Sequence, residues 1–169
     1  MIDDTHDERY RQKLARRLVE GCGFAKEEIT PRYRYRFAIE DRCAEIGVDF
    51  VITLAERICM AVKYAPGSLV TRHQPALAAA RVLAPYQIPV VVVTNGENAD
   101  VLHGDTGRVV ATGLDGIPSR TALADLAARS GVDPIDPQRI IMAHRILYAF
   151  EIHGSCNCDA DACDGAKGS

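Results

Sequence analysis

The sequence predicts a single α/β domain with a mixed sheet flanked by helices, and three observations carry that expectation. The chain has 169 residues, 47% of them apolar and 25% charged, enough to bury one core without disulfide or metal staples. The patterning switches between helical and alternating periods in the order helix, three strands, helix, buried strand. A further strand pair and two more helical runs then follow. No internal repeat is visible.

Each element has its own signal. Thr5 followed three residues later by Glu8 is a capping-box pattern, and Leu14, Ala15, Leu18, Val19 and Cys22 recur with helical spacing until Gly21 and Gly23 interrupt. The first helix is thus expected over about residues 6–21. Pro31 opens a strictly alternating strand, with Arg32, Arg34 and Arg36 on one face and Tyr33, Tyr35 and Phe37 on the other. The runs Ile46 to Thr53 and Ile58 to Tyr64 flank the short segment LAER, which reads as a hairpin. Pro75 suits the first turn of a helix running to Ala84, before Pro85. Ile88 to Thr94 is a continuous β-branched run of the kind buried on both faces, so parallel pairing inside the sheet is expected. Asn95-Gly96 makes a turn, and Asp100 to His103 with Arg108 to Thr112 form a hairpin at an edge. Helices near 119–130 and 137–152 follow, the first stopped by Gly131 and the second started by Pro137. Residues 153–169 are too small and polar to pack as regular structure, which divides the chain into a domain over 1–152 and a Cys/Asp-rich tail.

Composition limits function. The N-terminal MIDDTHDERYRQK has no apolar core of a signal peptide, and no apolar run approaches the roughly 20 residues that span a bilayer. A soluble, cytoplasmic protein without a membrane partner is expected. Such a chain keeps its thiols reduced, and Cys22, Cys43 and Cys59, each alone in an apolar segment, read as buried small hydrophobes. The formal charge of −3 argues against a generally basic, nucleic-acid-coating protein but leaves room for a local patch.

Two residues suggest chemistry. Asp49 lies in GVDFVI on the second strand, and Lys63 lies in AVKYAPGSL on the third, directly before a Pro-Gly turn. Together with LARRLVEGCGF, the helix after Gln74, VVVVTNGENADVL and the GDTGRVV hairpin, these blocks resemble the N-terminal nuclease domain of type I restriction enzyme R subunits, a branch of the PD-(D/E)XK nuclease superfamily. The resemblance runs from about Arg9 to Gly113 and implies a restriction-endonuclease-like core of order α-β-β-β-α-β, with an added β-hairpin and two C-terminal helices. By the same resemblance Asp49 matches a magnesium-binding aspartate, Lys63 the lysine that activates water or stabilises phosphate charge, Glu20 an acidic position on the first helix, and Gln74 a glutamine after the third strand. Two matches are missing. The glutamate expected two residues before the lysine falls at Ala61, and an aromatic expected four residues after Gln74 falls at Ala78.

Magnesium is normally held by one or two carboxylates plus phosphates and waters, so losing one carboxylate weakens the implied site severely. Glu20, Glu45 and Glu56 are candidates for a relocated acid, and strand parity gives Glu45 the face of Asp49. Without the resemblance, Asp49 and Lys63 read as an ordinary cross-strand ion pair. Arg32, Arg34 and Arg36 are the candidates for contacts to DNA phosphates, set against a solvated face as the commoner reading of a charge run. The helix carries further cations at Arg9, Arg11, Lys13, Arg16 and Arg17, diluted by Glu8 and Glu20.

The tail concentrates His153, Cys156, Cys158 and Cys163 in a dozen residues, yet Cys-x-Cys-x4-Cys is no standard zinc or iron-sulfur pattern. Zinc held by the three cysteines with His153 or His144 is set against an unstructured, oxidation-prone tail. Three functions follow: a stand-alone nuclease-fold domain with an eroded site that binds DNA or a protein partner without efficient cleavage, an active magnesium-dependent DNA endonuclease using a relocated acid, or a zinc-binding interaction protein. No GxxxxGK[ST] loop is present, so no nucleotide-driven motor and no nucleotide partner are expected. A monomer or homodimer is expected.

Overall fold

The computed structural model describes residues 6–39 and 41–150. Helix α1, His6–Arg16, runs on as a π-helical turn, Arg17–Gly21, and a 3-10 turn over Lys26–Glu28 leads into the sheet. Strands β1 (Ile29–Ile39), β2 (Arg42–Leu54) and β3 (Arg57–Tyr64) form an antiparallel meander. Helix α2, His73–Val82, crosses over to β4, Val90–Thr94, which pairs parallel to β3. Strands β5 (Ala99–His103) and β6 (Val109–Thr112) complete a second antiparallel meander, and α3 (Arg120–Arg129) and α4 (Pro137–Phe150) follow. The sheet has six strands in chain order, with one parallel pair at its centre. Mixed α/β architecture, the order of elements and the buried β4 agree with the sequence reading.

Local chemistry accounts for the differences. Strand β1 begins at Ile29, two residues before Pro31, which an edge strand tolerates because its missing N–H leaves no central ladder bond unmade. The β2–β3 hairpin closes through only Ala55 and Glu56, both at positive φ, a twist that matches the strands without the usual Asn-Gly. Helix α3 starts at Ser119, whose hydroxyl accepts the Ala122 N–H at 3.2 Å. Cys22 and Cys59 are buried free thiols as expected, whereas Cys43 is half-buried and disulfide-bonded, contrary to its reading as a buried thiol.

The core divides at the sheet into two clusters. Leu14 of α1, Leu18 of the π-helical turn and Leu123 of α3 pack with Phe50, Ile52 and Met60 on one face. On the other, the alanines of α2 and Leu147 of α4 pack with Ile46, Val48, Val51 and Val91. Val48 and Phe50 are two residues apart on β2 and should share a face, yet they belong to opposite clusters. The break is visible in the ladder, where pairing skips from Pro31↔Phe50 to Tyr33↔Val48 and leaves out Arg32 and Asp49. Arg32 carries a φ of 52°, a left-handed residue that interrupts the pleat while the register stays the same on either side. Asp49 therefore sits where β2 changes sides.

Candidate functional site

That position leaves the Asp49 carboxylate free of the regular pleat. One oxygen accepts the backbone N–H of Tyr64 at 2.7 Å, standing in for a ladder carbonyl at the end of β3. The other accepts Arg11 Nε at 2.8 Å, and the Asp49 side chain is only 12% exposed. The cross-strand Asp49–Lys63 pair considered from the sequence is therefore replaced by a pair with Arg11. Lys63 is half-buried and donates instead to the Gly47 carbonyl at 2.7 Å.

The acidic N-terminal turn of α1 closes around the same point. Arg11 lies 3.8 Å from Glu8 and sits over the Tyr64 ring, 5.6 Å from its centroid. Burial works against the guanidinium charge, but Asp49, with Asp7 and Glu8 nearby, holds its pKa above the ordinary value. The Tyr64 hydroxyl donates to Asp7 at 3.0 Å. Burial and that hydrogen bond push the Tyr64 pKa up to about 12. Tyr10 stacks on Tyr64 with centroids 5.9 Å apart. Glu8 also receives Arg32 at 2.9 Å, which ties α1 to the left-handed residue of β1.

Sequence reasoning missed Arg11, Glu8, Asp7 and Tyr64 as parts of this cluster. The signal was present: Asp7, Arg11, Leu14 and Leu18 follow i, i+4, i+3, i+4 spacing, so a charged pair begins the stripe that faces the sheet.

The residues singled out in the sequence are not all brought together. Glu20 is exposed in the π-helical turn, nine residues beyond Arg11 and so roughly 13 Å along the helix axis. Gln74 is exposed at the start of α2, beside His73, whose Nε2 lies 2.7 Å from the Asp100 carboxylate. Glu45 is about 13 Å along β2 from Asp49 and is held by Arg34 at 2.7 Å and Arg36 at 2.6 Å. Those two bonds keep the Glu45 carboxyl below its ordinary pKa. Glu56 is exposed in the hairpin loop. Arg32, Arg34 and Arg36 are all exposed on the outer strand.

Magnesium is held by carboxylate oxygens that face one point, completed by phosphates and waters. Both Asp49 oxygens are engaged. Ala61 is 1% exposed in the cluster that packs α2 against the sheet, so the place of a second strand carboxylate is filled by apolar contacts. Among the described residues no three His, Cys, Asp or Glu side chains are grouped to hold a metal. His153, Cys156, Cys158 and Cys163 lie outside the described residues. His144, the alternative zinc ligand, stacks on Phe37 with centroids 4.7 Å apart and its Nε2 lies 3.0 Å from the Tyr35 hydroxyl. Among the described residues no helix is long and apolar enough to cross a membrane.

No curated protein and no solved structure matches the chain. The family described as type I restriction enzyme R protein N terminus (HSDR_N) matches residues 6–118, about two thirds of the 169 residues. The match begins with α1 and ends just before α3, taking in the whole sheet and the Asp49 cluster. This chain belongs to the type I restriction enzyme R protein N-terminus family.

Proposed function

We propose that this chain is a restriction-endonuclease-like recognition domain that binds DNA, alone or with a protein partner, and does not cleave it efficiently. The observation that carries this reading is the state of Asp49, the carboxylate that magnesium chemistry would need. Arg11 and the Tyr64 N–H take both its oxygens, and Ala61 is sealed under α2. Hydrolysis of a phosphodiester requires a cation or general acid placed where charge develops on the phosphate. Binding requires only exposed cations. Arg32, Arg34 and Arg36 project from an edge strand, and Arg34 and Arg36 both reach Glu45.

A second reading, an active endonuclease with a relocated acid, draws on Glu8. Its side chain is 14% exposed and flanks the same Arg11 as Asp49. One experiment separates the two. Binding of a short labelled duplex is measured with EDTA and with magnesium or manganese, alongside nicking of supercoiled plasmid. Binding that persists in EDTA, weakens at least several-fold in Arg34→Gln/Arg36→Gln, and brings no nicking supports the recognition reading. Metal-dependent nicking abolished by Asp49→Asn and by Glu8→Gln replaces it with the second.

A further inference from the structure

Beyond Arg11, α1 carries a second group of cations around a cleft that the Asp49 cluster does not use. The cleft has a volume of about 370 Å³ and is lined by Lys13, Leu14, Arg16, Arg17 and Glu20, with Gly96 and Leu114 opposite. That volume is in the range of small-molecule sites, roughly 300–1,000 Å³. Positions 13, 16 and 17 are related by i, i+3 and i, i+4 spacing, which brings three positive side chains to one helix face.

The backbone is adapted to this arrangement. The last turn of the helix is π-helical, with the Cys22 N–H reaching the Arg17 carbonyl at 3.0 Å. Such turns are frequent at functional sites. Facing it, the Asn95-Gly96 turn approaches so closely that a Cβ on Gly96 would stand 2.2 Å from the Tyr10 ring.

Two cations are held in place without losing their charge. Lys13 Nζ donates to the Gly96 carbonyl at 3.4 Å and Arg17 Nε to the Leu114 carbonyl at 3.2 Å. A carbonyl orients a cation but does not neutralise it. Arg17 also pairs with Asp115, a fully exposed carboxylate whose attraction water screens. Arg16 is exposed and makes no ion pair among the described residues. Against these three cations the lining holds one acid, Glu20. Half-buried Leu114 gives the wall an apolar side.

We propose that this cleft binds the phosphate of one nucleotide unit of a nucleic-acid strand, with sugar or base against Leu114. Arginine and lysine bonds to phosphate are charge-assisted, and guanidinium matches its oxygens in pairs. No triphosphate-cradling loop is involved. The inference deepens the DNA-binding reading and rests on it for the source of the phosphate.

The test titrates three probes by calorimetry against the full chain: a single-stranded oligonucleotide with a 5′-phosphate, the same strand with a 5′-hydroxyl, and free AMP. The comparison is with Lys13→Gln/Arg16→Gln, with Glu20→Gln and with Arg34→Gln/Arg36→Gln. Both residues of the first variant are exposed, so its thermal midpoint should match the wild type. We expect that variant to weaken strand binding about tenfold and to lower the salt slope by roughly one per cation removed. Glu20→Gln should tighten binding several-fold. Weakening confined to the 5′-phosphorylated strand identifies a terminal phosphate, equal weakening of both strands a backbone phosphate, and weakening of AMP a free nucleotide. Unchanged binding in Lys13→Gln/Arg16→Gln, no binding of any probe, or weaker binding in Glu20→Gln overturns the assignment. Should the β1 variant alone lose binding, the cleft is wrong and the DNA reading stands; should the α1 variant alone lose it, the β1 surface is wrong and the cleft stands.

Discussion

The two faces of the sheet are covered by helices of opposite character. On the α1 and α3 face, large side chains such as Leu14, Leu18 and Phe50 fill the space, and polar contacts among Asp7, Arg11, Asp49 and Tyr64 close its end. On the α2 and α4 face, Ala76, Ala78, Ala79 and Ala80 let α2 approach closely, and α4 adds a ring stack of His144 with Phe37 and Tyr35. The difference locates chemistry in this fold. A helix that lies close leaves no room for a working side chain beneath it, whereas one standing off on larger residues leaves space for ionised groups at its margin.

That contrast can be broken most severely at position 61. Ala61→Glu places a carboxylate in the close-packed alanine layer, and stability should fall by about 3 kcal/mol or more, read from the urea midpoint. A small loss would mean that the α2 face can open. On the other face, Arg11→Ala leaves the Asp49 carboxylate with its backbone bond alone, and a loss of about 2 kcal/mol is expected. Full stability in that variant would show that the charged cluster is incidental to the fold.

Titration separates the faces further. His144 has its pKa lowered because burial disfavours the charged ring. Its contribution is therefore present above the ordinary value of about 6.5 and lost as pH falls through the folded-state value. Urea midpoints should drop between neutrality and pH about 5 in the wild type and less in His144→Phe. Tyr64 has the opposite sense. Its pKa rises from 10.0 to about 12, so its contribution is present below pH 10 and lost as pH climbs toward 12. Tyr64→Phe should flatten that alkaline limb. The smallest effect belongs to the exposed β1 network, where Arg34→Ala should change stability by less than about 0.5 kcal/mol.

Much of this architecture was legible in the sequence because period-two and helical patterning survive folding unchanged. The Arg32, Arg34, Arg36 stripe against Tyr33, Tyr35 and Phe37, and the unbroken valines of β4, needed only local rules. The site was less legible. Asp49 and Lys63 were visible as residues, but strand parity assumes a regular pleat, and the left-handed Arg32 opposite Asp49 breaks it. Glu20 drew attention by its place on the first helix, while the acids that reach the Asp49 cluster are more than three turns earlier, at Asp7 and Glu8. Which helix turn meets which strand is decided by tertiary approach, and no spacing rule contains that information.

The order of strands in the sheet equals their order in the chain, and this has a kinetic consequence. Every pairing except one joins neighbours through a short connection, so two three-stranded meanders can form from local contacts. Joining β3 to β4 requires closing the loop that contains α2, which carries the largest loop-closure entropy of any pairing in the sheet. The folding barrier should therefore lie where the alanine face of α2 docks, and substitutions there should slow folding, whereas those around Asp49 should mainly speed unfolding.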